Sequence, residues 1–119
     1  MAWSTTGRNR RADATAALIN ECSLHSSDPG SNGTTAEWSG GGYTRVAPSF
    51  SAASGGVAGL SDPMDFSGEP STEANFMGFW AGDGQFLGSV GRESGDAAAN
   101  AAGEYTVNQL NVDADGNIS

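Results

Sequence analysis

The sequence predicts a mainly β fold, a small antiparallel β-sandwich or barrel with a short N-terminal α-helix. Three observations lead there. Glycine is abundant, 18 of 119 residues, while charge is sparse at 16% and lysine is absent; a helical bundle would want Ala, Leu, Glu and Lys on its faces. Short apolar runs alternate with polar residues, as half-buried strands do. Turn-forming clusters separate about seven such runs at roughly 8–12-residue spacing, the rhythm of a small sandwich or barrel. A chain of 119 residues is one domain's worth, divided as a helix or docking segment over 1–21, a β-domain over 22–112 and a frayed tail over 113–119.

The helix comes first. Thr5 or Thr6 can cap it, and residues 8–20 are proline-free and alanine-rich. Ala14, Ala17, Leu18 and Arg10 fall on one weakly apolar face at helical spacing. Arg8, Arg10 and Arg11 oppose the positive end of the helix dipole, so the helix is marginal alone and must pack on something. Its arginines form either a solvated basic first turn or an arm that docks on an acidic neighbour.

Residues 22–25 read as a short strand ended by Asp28-Pro29-Gly30, strong turn chemistry. A polar loop over 31–39 leads through Gly40-Gly41-Gly42 to a strand at 43–47, which Pro48 confines to an edge or bulge. Residues 50–53 and 57–60 flank Ser54-Gly55-Gly56 as a hairpin. Asp62-Pro63 turns the chain into alternating Met64 and Phe66. Residues 75–81 are the most apolar segment, with Phe76 and Trp80 on one face and Met77 and Phe79 on the other, the pattern of a central strand. Gly82-Asp83-Gly84 connects it to a strand at 85–90. Residues 94–103 read as a loop or a single helical turn. A last strand starts near Glu104, and its apolar phase slips from Tyr105 and Val107 to Leu110 and Val112, the mark of a β-bulge.

Charge narrows the function. The net is −9, unevenly placed. Beyond residue 11, Arg45 and Arg92 face all 14 carboxylates, a net of −12. Such a body repels nucleic acid and anionic membranes. Cys22 is the only cysteine, which rules out an internal disulfide and a cysteine metal cage and suits a small buried hydrophobe. No leader-like apolar stretch opens the chain, and no window approaches the roughly 20 apolar residues of a membrane span.

Catalytic and metal chemistry find little footing. His25 has no second histidine or cysteine for zinc, and its serine-rich surroundings lack a nucleophile elbow; a half-exposed strand histidine is the expectation. Asp113-Ala114-Asp115-Gly116-Asn117 opens like a calcium loop but lacks the closing glutamate. The glycine runs at 40–42 and 82–84 lack the strand–loop–helix context of a phosphate cradle, and Asp62 and Asp65 are accounted for by turn chemistry. No catalytic, cofactor or metal residue is assigned. Trp80 belongs to the best core strand, whereas Trp3 and Trp38 are candidate interface anchors beside Arg8, Arg10 and Arg11.

The order of segments then carries a resemblance. Ser23-Leu24-His25-Ser26-Ser27-Asp28-Pro29-Gly30, Ser39-Gly40-Gly41-Gly42-Tyr43-Thr44-Arg45 and Phe50-Ser51-Ala52-Ala53-Ser54-Gly55 resemble the "LHTADPG…GGSYARQAVTWAAASGG" stretch of a family of small phage proteins. The segment from Phe76 to Ser89 is similar to that family's "VGLWDAATGGTFLGSG". Its members go by the labels phage tail fibre and minor tail protein. The first helix departs from the family by being more polar and arginine-rich. The resemblance implies a non-enzymatic virion protein, assembled in the host cytoplasm and docked as an accessory module on a larger tail or capsid subunit. Its partners would be other virion subunits, with a homo-oligomer also open; a capsid decoration (cement) role and a carbohydrate-binding module using Trp38 stand as alternatives. A fibre shaft is not expected, because heptads and repeats are absent.

Overall fold

A computed structural model describes residues 3–91 and 99–118. One helix, α1 (Thr5–Leu18), precedes seven strands: β1 (Glu21–His25), β2 (Val57–Gly59), β3 (Met64–Ser67), β4 (Phe76–Trp80), β5 (Phe86–Gly91), β6 (Glu104–Val107) and β7 (Asn111–Asp113). They form a three-stranded sheet ordered β1-β4-β5 and two ribbons, β2-β7 and β3-β6, with every pairing antiparallel. The fold is the mainly β arrangement expected; the sheets do not close, so the barrel alternative is not realised.

Ser4, and not Thr5 or Thr6, caps α1: it is extended and its side chain accepts from the Gly7 N–H at 3.0 Å. The helix ends at Leu18, where Ile19 turns to an extended conformation and Asn20 donates its N–H to the Trp80 carbonyl at 2.7 Å. Its buried face is also not the one expected. Ala12, Ala16 and Ile19 face the core, while Arg10, Ala14, Ala17 and Leu18 are exposed. The sequence offers two rows of alanine at helical spacing, and hydrophobicity does not choose between them. Polar partners do. Asn9 and Asp13 share the Ala12–Ala16 face, and their side chains accept the backbone N–H groups of Gly56 and Ala53, each at 2.8 Å. Small alanines let the hairpin turn come that close.

That hairpin forms as expected. Ser54 and Val57 exchange both backbone hydrogen bonds around Gly55 (φ 60°) and Gly56 (φ 80°), the paired positive φ values of a type I′ turn. Central strand β4 lies between β1 and β5, and its alternation buries both faces. Cys22, Leu24, Met77 and Phe79 meet the main core; Ser23, His25, Gly78 and Trp80 look the other way. There the 26–36 loop covers them, with Gly33 so close to the Phe86 ring that a Cβ could not fit. Met64 and Phe66 of β3 are buried as their alternation required.

Three expectations need correction. The strand at 43–47 reduces to a single bridge, Val46 with Cys22, because the preceding glycines and Pro48 leave too little chain to continue a ladder. The slip between Val107 and Leu110 is not a bulge: exposed Asn108 and Gln109 carry the chain from one ribbon to another, β6 beside β3 and β7 beside β2. The tail is folded up to residue 118. The Asp113 carboxylate accepts N–H groups from Asp115 and Asn117, each at 2.9 Å, Ile118 bridges back to Val112, and Ala114 is buried. Of the loop expected over 94–103, residues 94–98 lie outside the described residues, as does Arg92; Ala99 is buried and bonded to Thr72.

Candidate functional site

His25 is not half-exposed; it is 0% exposed. Its Nδ1 lies 2.8 Å from the Thr35 carbonyl, and its Nε2 lies 2.7 Å from the Ser23 hydroxyl. A carbonyl can only accept, so Nδ1 carries the proton and Nε2 accepts from Ser23. The same Ser23 oxygen accepts the indole N–H of Trp80 at 2.8 Å. Every polar atom of this chain is thereby satisfied, in one direction: Trp80 to Ser23 to His25 to Thr35. A serine beside a histidine suggests nucleophilic catalysis. Here the third partner is a backbone carbonyl where a triad would place a carboxylate, and Ser23 is sealed from solvent as completely as His25. The geometry orders a sheet face.

Beside it lies a second polar cluster. Arg45 grips Glu37 with two bonds of 2.9 and 3.0 Å and lies over the Trp80 ring at 3.7 Å. Tyr43 donates its hydroxyl to Glu37 at 2.8 Å and accepts the Leu24 N–H at 3.2 Å. Burial alone would raise the Glu37 pKa, but the hydrogen bonds from Arg45 and Tyr43 outweigh it and hold the carboxyl below its usual range. Burial pushes the Cys22 thiol up to about 12, so it is protonated and packed as a hydrophobe.

The candidate interface residues separate into two groups. Trp38, expected on the surface of a polar loop, is 5% exposed. Its indole N–H bonds the Glu73 carbonyl at 2.7 Å, and its ring stands edge-on to Tyr43 and Tyr105. A tryptophan held this way has no free face for a sugar or a partner. Glycine made the loop look open, when in fact Gly68 is what lets the backbone pass over the indole. Trp3, by contrast, is 61% exposed. It is positioned all the same: its ring rests on Gly7, whose missing side chain makes room, and the Arg11 guanidinium lies 4.9 Å from its centroid. Arg10 is exposed, and Arg8 lies along the Gly56 turn. The structure therefore brings Trp3, Arg10 and Arg11 together on the outward side of α1.

Sequence reasoning missed one feature. A cleft of about 420 Å³ opens between the end of α1, β5 and the terminal turn, lined by Leu18, Phe79, Leu87, Val90 and Ile118. Leu18 and Leu87 stand 60% and 47% exposed on it. No period in the sequence marks it: the irregular pairing of β4 with β5, in which Leu87 falls between the partners of Phe79 and Trp80, emerges only in the fold. Among the described residues no group of three or more His, Cys, Asp or Glu side chains is placed to hold a metal ion. The Asp113 carboxylate of the calcium-like stretch is engaged by backbone N–H groups instead.

No curated protein and no solved structure matches the chain. A family does: the description Podophage GP4 fiber I protein gp80 matches residues 8–85, from the arginines of α1 through the buried His25 chain to the turn that opens β5. With more than half its length matched in that way, and with the mainly β architecture to go with it, the chain belongs to the podophage fibre I protein family, structural proteins of the virion.

Proposed function

We propose that the chain is a non-enzymatic fibre module that works by docking, and that its docking element is the outward face of α1. The observation that carries this reading is a set of unspent charges. Among the described residues the one ion pair is Arg45 with Glu37; Arg10 and Arg11 form none, in a chain with 14 carboxylates, whereas Arg8 is turned to the Gly56 hairpin and attracts the Asp113 carboxylate. Two guanidinium groups, those of Arg10 and Arg11, on the same side of the helix as a positioned, exposed tryptophan have the composition of an interface anchor. They suit an acidic surface on a neighbouring tail subunit. The inner face of α1, fixed by Ala12, Ala16, Asn9 and Asp13, supplies the rigidity such an anchor needs. The sealed Ser23–His25 pair gives no support to turnover.

Particles assembled with the variant Trp3→Ala/Arg10→Glu/Arg11→Glu test the reading. All three side chains lie outside the core, so the variant should fold, as circular dichroism would show, yet be missing from purified particles. Normal incorporation would overturn the proposal. Point changes are the better probe than deleting residues 1–11, because deletion also removes the Asn9 contact with the hairpin.

A further inference from the structure

The charges of this molecule are sorted by place. The outward side of α1 is cationic, and the chain beyond it carries a net of −12. The carboxylates are not equivalent. Glu37 is matched by Arg45, Asp113 folds the terminal turn, and Asp28 and Asp83 each accept an N–H within their own loops. The β3-β6 ribbon differs. Its inward row, Met64 and Phe66, is buried in the core, while its outward row exposes Asp65 and Glu104 with Ser67 and Thr106; Asp65 accepts the cross-strand Thr106 hydroxyl at 2.9 Å, which leaves its charge facing outward. Asp62 and Glu69 flank β3 on the chain and are exposed. No described cation lies on this ribbon or in those flanks. In its own copy α1 rests on the other ribbon, β2-β7, so the two surfaces are not paired within one molecule.

We propose that the acidic surface on which α1 docks is that of a second copy of this chain: Trp3, Arg10 and Arg11 of one copy seat against the outward face of the β3-β6 ribbon of the next. This rests on the docking role proposed for α1. The contact joins two different surfaces, so it is heterologous and repeats from copy to copy. The copy at the base of such a series keeps its own α1 free for an acidic site on the supporting tail subunit. The shared net charge of −9 does not forbid it. At about 0.1 M salt the Debye length is about 10 Å, well inside the 23 Å narrowest extent of the body. Facing charges are then felt and distant ones are not.

Sedimentation velocity of the full chain tests this, over a concentration series at about 0.1 M and about 1 M salt, where screening shortens to about 3 Å. Concentration-dependent association at the lower salt, lost at the higher, is expected. Arg10→Glu/Arg11→Glu and, separately, Asp65→Arg/Glu104→Arg should each weaken association by about tenfold or more. Each variant spoils only one of the two surfaces. An equimolar mixture of the two should therefore recover association, because the native pair of surfaces and the charge-reversed pair, glutamates on α1 against arginines on the ribbon, are each complementary; a mixture no more associated than either variant alone would overturn the proposal. A wild type that is monomeric throughout would overturn the proposal. So would association that is indifferent to both variants, or that strengthens with salt, which would point to the Leu18–Leu87 cleft. Particle incorporation separates this failure from that of the docking role. A monomeric wild type whose α1 variants still drop out of particles sinks only the second-copy partner; α1 variants that incorporate normally sink both.

Discussion

Ser23→Ala removes one oxygen from the middle of the Trp80–Ser23–His25–Thr35 chain, and its cost can be worked from the geometry. The indole N–H of Trp80 loses its acceptor at 2.8 Å, and Nε2 of His25 loses its donor at 2.7 Å. Both groups are buried beneath the 26–36 loop, where water cannot replace the hydroxyl. An unsatisfied buried polar group costs about 1–3 kcal/mol, so two cost about 2–6 kcal/mol, a large share of a typical domain's total of about 5–15 kcal/mol. Urea unfolding followed by circular dichroism should show that loss, and Tm should fall by roughly 10 °C or more. Trp80→Phe leaves the Ser23 hydroxyl still donating to His25, so it costs less. The double variant should cost less than the sum of the two, with a coupling of about 1–2 kcal/mol, because a single missing bond is counted in both singles. Gly78→Ala approaches the same chain from the neighbouring strand, since its Cβ would lie 2.5 Å from the Ser23 oxygen and 3.0 Å from His25 Nε2. It should destabilise as well. A Ser23→Ala variant within about 0.5 kcal/mol of wild type, or strict additivity with Trp80→Phe, would refute the reasoning.

Trp38→Ala should cost about 3–5 kcal/mol as a core truncation, seen as a lowered urea midpoint and a loss of near-ultraviolet circular dichroism; a surface tryptophan would show neither. The Glu37 carboxyl has its pKa lowered in the fold, so its stabilisation is complete above the unfolded carboxylate value of about 4.3 and is lost as pH falls through the lower folded value. Urea midpoints measured between neutral and acid pH should therefore fall less steeply in Glu37→Gln than in wild type. Cys22, buried and with its thiol pKa raised to about 12, should resist a thiol reagent at neutral pH until urea unfolds the chain. Asp113→Ala should release the amides of Asp115 and Asn117 to fast hydrogen exchange, while those of β4 stay protected.

Local pattern made the sheet elements legible. The Ser54-Gly55-Gly56 turn, the Met64 and Phe66 alternation and the doubly buried 76–80 strand depend on neighbours two to four residues apart, and so could be read directly. What escaped depends on partners far away in the chain. Trp80 reaches Ser23 across 57 residues, and Trp38 reaches the Glu73 carbonyl across 35; no local period records either. The direction of α1 was hidden because two alanine rows look alike until Asn9 and Asp13 find the hairpin. Distance also explains the error at Leu110. A strand that changes partner ribbon and a strand with a bulge leave the same one-residue slip in the alternation. Of the proposed docking surface, the arginines and Trp3 were legible from composition and position, while the role of Gly7 in seating the indole was not.

The attachment of α1 to the hairpin turn has a mechanical consequence. If the module is held by its first helix, as proposed above, any pull on its far end passes through that joint. The connection consists of the Asn9 and Asp13 bonds to Gly56 and Ala53 and the alanine contact between them. Because the turn is the tip of the strand that pairs with β7, tension passes into the ribbon as well as along the chain through Asn20. Two load-bearing routes leave the same helix, so neither the covalent link nor the side-chain clasp has to withstand the whole force of a tethered particle.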